Sequence, residues 1–327
     1  MPAPIVALLS NPRSTRNGEL LPRIRAFVAH TPNVFHVELQ EVGEVAAVLR
    51  LIARVDPAVL VVNGGDGTVQ AVLTHLEHDK PFGDTPPPVA VLPNGKTNLI
   101  AADLGMHGSP IKALDRIVSM ARDGVLQGAT VRRHLIAIDD GHARRPVVGM
   151  FLGGAGLMNA MLFCRHKLYP LGLPNSVAHG LTSLAFLWSI LVGTRSRYSA
   201  IRTDDMKVVV PRRGVMEGRF AVLLSTTLDR LLMGFEPDSE IQGQGPIKLV
   251  CIEQSRGAVL KAVVAALFGR LGRTSTSGIH IARGEEVRLE GADVGVLLDG
   301  EHIEPAPGRP LIMRSTAPTR FISLATA

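Results

Sequence analysis

The sequence predicts two domains, an α/β domain built on a parallel sheet followed by a largely antiparallel β domain. Three observations carry this reading. A length of 327 residues exceeds one ordinary core, and 46% apolar residues can fill two. Over roughly the first 130 residues, short β-rich runs alternate with helical periodicity. After Arg132 the texture changes, and β-like runs follow one another with few crossover helices between them.

Each element has its own signal. Ile5 to Leu9 reads as a buried strand, and Leu20, Leu21, Ile24, Phe27 and Val28 then recur at helical spacing. Asn33 to Leu39 gives a second strand and Glu44 to Val55 a second helix. A third strand spans Ala58 to Val62, followed by a helix with Val69, Val72, Leu73 and Leu76 on one face. A Pro-rich connector then leads into a strand at Val89 to Leu92. In the second half, strands are expected at His134–Ile138, Val147–Leu152, Lys207–Val210, Phe220–Leu224, Lys248–Ile252 and Val287–Leu289. Helices are expected near 155–193 and 256–271.

Composition narrows the function. Aromatic residues make up only 4%, which argues against nucleic-acid modules that stack bases on Phe, Tyr and Trp. The formal charge of +6 suits an anionic partner without identifying one. Cys164 and Cys251 form no disulfide framework, so a reducing, cytoplasmic setting is expected. The first residues lack a basic n-region, and the apolar run Leu181 to Val192 is shorter than the ~18 residues of a membrane span.

The chemistry concentrates in loops that follow strands. Val61-Val62-Asn63-Gly64-Gly65-Asp66-Gly67-Thr68 is a strand running into three glycines and then a helix. Glycines let the backbone approach a phosphate closely or adopt positive φ, and a helix start offers unpaired N–H groups. Asp66 would repel phosphate unless it holds Mg²⁺ or orients a water. The plain alternative is a tight βα turn capped by Asp66 and Thr68. A second loop, Leu92-Pro93-Asn94-Gly95-Lys96-Thr97-Asn98, follows the next strand. There Lys96 could contact a phosphate and Asn98 could cap a helix. The first strand ends in Ser10-Asn11-Pro12-Arg13-Ser14-Thr15, so three polar loops share one sheet edge, where open α/β sheets bind ligands. His75 and His78 lie one helical turn apart without a third ligand and read as surface residues.

These residues resemble the diacylglycerol kinase-like lipid kinases, which include sphingosine and ceramide kinases. The resemblance rests on Asn11-Pro12, on Gly64-Gly65-Asp66-Gly67-Thr68, on Pro93-x-Gly95-x-x-Asn98 and on Asp299-Gly300-Glu301. It implies a doubly wound α/β nucleotide domain, of the type shared with NAD kinases, over 1–130. The final stretch, about 315–327, would return to that domain, and a β-sandwich lipid domain would fill 131–314. It further implies that Asn63, Gly64, Gly65, Asp66, Gly67, Thr68, Gly95, Lys96 and Thr97 gather around ATP with Mg²⁺ at Asp66, supported by Asn11 and Asn98. Asp299 or Glu301 would serve as general base toward a lipid hydroxyl. By local sequence alone, Asp299-Gly300 is a hairpin turn.

Two departures from the pattern matter. Where the family has Thr or Ser after the loop glycine, this chain has Lys96, with Thr97 one place later. Where many bacterial relatives carry an acidic cluster for a structural metal, Glu236 to Gln244 offers glutamines, so no second metal is expected. The expected partners are ATP and a lipid met at a membrane surface, with no nucleic acid, and a homodimer is possible through exposed β edges. The segment 157–192, flanked by Arg165, Lys167, Arg195 and Arg197, reads either as a buried helical cover or as a membrane-docking face. Ala258 to Leu271, with Lys261, Arg270 and Arg273, admits the same two readings. The alternative functions are an NAD kinase-like small-molecule kinase and a non-catalytic nucleotide- or lipid-binding relative. NAD kinases typically have an Asn-x-Gly-x-Leu-Gly-Phe-Leu loop, where this chain has Pro-Asn-Gly-Lys-Thr-Asn.

Overall fold

The computed structural model describes residues 3–95, 98–142, 145–156, 158, 205–229, 245–268, 271, 276–292 and 294–325. The expectations for Lys96 and Thr97, for the apolar stretches of 159–192 and for the Glu236 to Gln244 stretch therefore lie outside the described residues. The chain divides into two units. The first comprises Met1–Leu135, Val147–Gly149 and Ala317–Ala327, and the second Ile136–Pro146 and Met150–Thr316.

The first unit alternates strand and helix as far as the fourth strand. Its elements run β1 (Val6–Ser10), α1 (Asn17–Ala29), β2 (Val34–Glu38), α2 (Val45–Ala53), β3 (Val59–Asn63), α3 (Asp66–Asp79) and β4 (Val89–Val91). The helices α4 (Leu99–Asp103) and α5 (Pro110–Arg122), then the strand β5 (Thr130–Arg133), follow. The last strand of the chain, Thr319–Ile322, completes a six-stranded sheet. It lies parallel beside β4, with Phe321 opposite Val89, and antiparallel to β5. All five residues of β1 and of β3 are buried, the pattern of strands covered on both faces. The covering helices contribute Leu20, Leu21 and Ile24 from α1, Val45, Leu49 and Ile52 from α2, and Val69, Val72, Leu73 and Leu76 from α3.

The strand order β2-β1-β3-β4 places the site. The chain leaves β1 toward β2 and then returns to the other side of β1 as β3. The carboxyl ends of β1, β3 and β4 therefore lie side by side, at the point where connections diverge and open sheets form a crevice.

The second unit contains two antiparallel sheets, the arrangement of a β-sandwich domain. One includes Gly214–Gly218, Met206–Val210, Glu286–Gly291, Leu311–Ser315 and Ile136–Asp139 in that order. The other runs Ile279–Gly284, Ile247–Glu253, Phe220–Thr226, Phe151–Gly154, Val296–Leu298 and Glu301–Ile303. Where one strand is expected over Val147–Leu152, the structure has two, broken at the fully buried Met150. The Met150 carbonyl accepts from Thr226 Oγ1 at 2.9 Å and from Thr227 N at 3.1 Å, and its N–H donates to Asp299. Those bonds replace a continuous ladder.

Candidate active site

Four asparagines lie beneath the loops of the first unit. Asn11 follows β1, Asn17 opens α1, Asn63 ends β3 and Asn94 follows β4. Each is buried, Asn63 and Asn94 completely. Asn17 is the hub. Its Nδ2 donates to the Asn11 carbonyl at 2.6 Å and faces the Asn63 carbonyl at 3.4 Å. Its Oδ1 accepts from Asn63 Nδ2 at 3.2 Å and from Asn94 Nδ2. Asn94 Nδ2 also reaches Asn63 Oδ1 at 2.8 Å. One carboxamide thus ties together the ends of three strands, and this pairing offsets much of the cost of burying the amides.

The edge of this network is Ser10. Its Oγ accepts from Asn63 Nδ2 at 2.9 Å and lies 2.9 Å from His36 Nε2. Burial pushes the His36 imidazole below the ordinary histidine range, favouring the neutral ring, whose Nε2 can accept a hydrogen bond from the Ser10 hydroxyl.

The Gly-rich loop sits on top of this scaffold. None of Gly64, Gly65 and Gly67 lies in the left-handed region, so unusual backbone angles do not require glycine here. A Cβ on Gly64 would stand 2.6 Å from Thr68 Cβ. A Cβ on Gly95 would stand 3.2 Å from the Gly65 Cα, so the second and third loops pack glycine against glycine. Gly65 N donates to Ser14 Oγ at 3.0 Å, which ties in the first loop. Gly65, not Asp66 or Thr68, is the N-cap of α3. It brings no side chain to accept from the first-turn N–H groups, leaving the positive helix end available to an anion.

The remaining expected residues have definite places. Asp66 is the first residue of α3 and half-buried. Thr68 is turned inward, its Oγ1 accepting from Asn11 Nδ2 at 2.8 Å. Asn98 occupies the N-cap position of α4 with φ 53°, but its side chain does not cap that helix. Its Oδ1 accepts from Gly95 N at 2.6 Å and closes the third loop on itself. In the second unit, Asp299 and Gly300 have φ 46° and 92° and join two strands as a two-residue hairpin, the conformation Asp-Gly favours. The Asp299 side chain is nonetheless engaged. Its two carboxylate oxygens accept from Met150 N at 2.9 Å and Phe151 N at 3.0 Å, and the residue is 8% exposed. Glu301 is exposed on the next strand.

The sequence places Ser10 and Asn94 in the polar loops but gives neither a role, and it does not mark Asn17 or His36. Asn17-Gly18 reads as an ordinary helix start, and no local pattern marks it as the hub of distant loops. A metal is tested by the donors present. Among the described residues no group of three His, Cys, Asp or Glu forms a cage. A Mg²⁺ carried on nucleotide phosphates would need only one or two protein carboxylates, and Asp66 at the start of α3 fits that need.

Gly64→Ala tests the role of space. The added methyl meets the branch point of Thr68, which cannot swing aside, so the loop must shift. We expect a loss of about 1–3 kcal/mol in urea unfolding.

The fold and loops define a mixed α/β domain of the type found in diacylglycerol kinases and NAD kinases. Residues 6–126 match the family model of the diacylglycerol kinase catalytic domain. Two solved structures from Bacillus anthracis str. Sterne, each 17% identical, align with TM-scores of 0.65 and 0.66 over 99–100% of both chains. A third, a diacylglycerol kinase from the same strain, is 15% identical with a TM-score of 0.62 over the whole of both chains. An NAD kinase from Archaeoglobus fulgidus, solved in complex with ATP, is 11% identical with a TM-score of 0.50. It covers 98% of this chain and 94% of that one. At such identities the likeness speaks for the fold. No curated protein matches the chain by sequence.

Proposed function

We propose that the chain is an ATP-dependent lipid kinase that transfers the γ-phosphoryl group to a hydroxyl of a lipid such as diacylglycerol or a sphingoid base. The observation that carries this reading is the convergence of the loops after β1, β3 and β4, held by one buried amide network, within the segment matched to the diacylglycerol kinase catalytic domain. Gly64, Gly65, Gly67 and Gly95 would let the chain close on phosphates, and the start of α3 would face their charge. Asn11, Asn63 and Thr68, all buried, would act from beneath by fixing the loops. Mg²⁺, held by Asp66 together with the phosphates, would offset charge on the transferring group.

Between the two candidate bases, the geometry favours Glu301. Both oxygens of Asp299 are committed to backbone N–H groups, whereas Glu301 is exposed at the first position after the turn. The lipid oxygen would attack phosphorus as the bond to ADP breaks, and its proton would pass to the Glu301 carboxylate. Asp299 would position that turn.

Incubation with labelled ATP, Mg²⁺ and a panel of lipid alcohols, with NAD alongside, tests the reading. Label in one lipid class supports it. Label only in NAD assigns the chemistry of the sister family, and ATP binding without transfer to any acceptor makes the chain a binding protein. Lys96 is proposed to contact nucleotide phosphate. Lys96→Ala should raise the KM for ATP about tenfold, the worth of one charge-assisted contact, and an unchanged KM would remove Lys96 from the site.

A further inference from the structure

In the second unit, the helix Arg256–Leu267 is apolar on two faces. Its inner face, Ala258, Val259 and Ala262, is buried against Val250, Ile252 and Ile279 of the adjoining sheet. Its outer side carries Leu260, 54% exposed, Val264, 46% exposed, and at the C-cap Phe268, 73% exposed. Spacing of i, i+4 and i+8 aligns these three in one ridge about 12 Å long. A helix covering a sheet in water ordinarily turns polar residues outward, so this ridge is not accounted for by the fold.

The charges carried by this segment are of one sign. Arg256 and Lys261 are exposed on the helix, Arg270 and Arg273 follow in sequence, and no Asp or Glu occurs from Arg256 through Gly284. The nearest preceding carboxylate, Glu253, is engaged with His280 at 2.8 Å. Arg256 occupies the first turn, where the helix dipole favours anions, and no acidic residue is there to offset it. Its charge therefore opposes the helix dipole.

We propose that this helix docks the protein on an anionic lipid bilayer. Leu260, Val264 and Phe268 enter the boundary between headgroups and acyl chains, and Arg256 and Lys261 meet lipid phosphates. The proposal rests on the lipid kinase reading, because a membrane-resident substrate requires the enzyme to come to it. The charge pattern selects a bilayer over a second copy of the chain. A self-paired helix would bring like charges together with no acid in the helix to receive them.

The test is co-sedimentation of the full chain with vesicles of phosphatidylcholine alone, or mixed with phosphatidylglycerol. Gel filtration and circular dichroism report assembly and fold. Wild type should pellet with the anionic vesicles in a salt-sensitive manner. Leu260→Gln/Val264→Gln/Phe268→Gln should lower that partition at least about tenfold while leaving phosphorylation of a water-soluble short-chain acceptor unchanged. Arg256→Gln/Lys261→Gln should remove the preference for anionic vesicles. Wild type that stays in the supernatant, or a folded triple variant that pellets like wild type, overturns the proposal. So does a wild-type dimer that the triple variant dissociates without loss of vesicle binding. If the triple variant does not fold, the charge pair decides, and an undiminished anionic preference overturns the proposal. Should no lipid alcohol be phosphorylated while the triple variant still loses vesicle binding, the docking face stands and the kinase reading falls.

Discussion

Glu301→Gln should abolish nearly all phosphoryl transfer, lowering kcat about 10²–10⁴-fold, the usual worth of a positioned general base. The substitution keeps the size of the side chain and its exposed position after the Asp299-Gly300 turn, so folding should be unaffected. ATP affinity should also hold, because the proposed phosphate loops belong to the other unit. A fall in kcat with an unchanged KM for ATP is thus the expected pattern. Asp299→Asn provides the contrast. It tolerates the left-handed backbone at φ 46° but points an NH₂ at one of two backbone donors. Stability should drop by about 1–3 kcal/mol, with a smaller loss of turnover. If Glu301→Gln turns over like wild type while folded Asp299→Asn is inactive, the two roles are reversed.

The first unit was legible because its elements obey strong periodicities. The continuous apolar runs of β1 and β3 and the helical spacing in α1 and α3 are visible without tertiary information. Local sequence does not mark strands where tertiary pairing overrides weak local preference. Thr130–Arg133 ends in two arginines, Gly214–Gly218 contains two glycines and a glutamate, and Leu311–Ser315 follows a Pro-rich stretch. The glycine loop shows a similar split. Its residue types predict a close approach to phosphate, but Gly64 serves by lacking a side chain beside Thr68 rather than by adopting positive φ. The place of Asn98 before α4 predicts a helix cap, yet its oxygen turns back to Gly95. Loop-closing bonds of this kind compete with capping, and sequence spacing alone does not decide between them. The ambiguity over Ala258 to Leu271 had the same origin. Apolar residues all round a helix do not reveal which face meets the sheet, and only burial separates Ala262 from Val264.

Asn17→Ala should have the largest effect on the scaffold, although Asn17 is fully enclosed and 1% exposed. Its carboxamide makes contacts to Asn11, Asn63 and Asn94, each from a different loop. Removal strands no group entirely. Asn94 Nδ2 keeps Asn63 Oδ1, Asn63 Nδ2 keeps Ser10 Oγ, and the Asn11 carbonyl keeps Ser14 N. Each nonetheless loses one bond in a site without solvent, and Asn94 Oδ1 already lacks a partner. Losses of about 1 kcal/mol per hydrogen bond, more where a buried group is left underpaired, sum to roughly 2–4 kcal/mol in urea unfolding. The kinetic signature should differ from that of a general structural defect. With the strands still seated by their apolar cores, the change falls on the spacing of the loops after β1, β3 and β4, so ATP KM should rise while the second unit keeps its strand signals in hydrogen exchange. Asn17→Asp separates the two contributions of the amide. Its carboxylate can still accept from Asn63 and Asn94 but must face the Asn11 and Asn63 carbonyls without a proton to give, and burying that charge costs more than the alanine cavity. Asn17→Asp should therefore be less stable than Asn17→Ala at neutral pH. The reverse order, or an Asn17→Ala enzyme with native stability and native ATP KM, would show that the loops hold their positions without this hub.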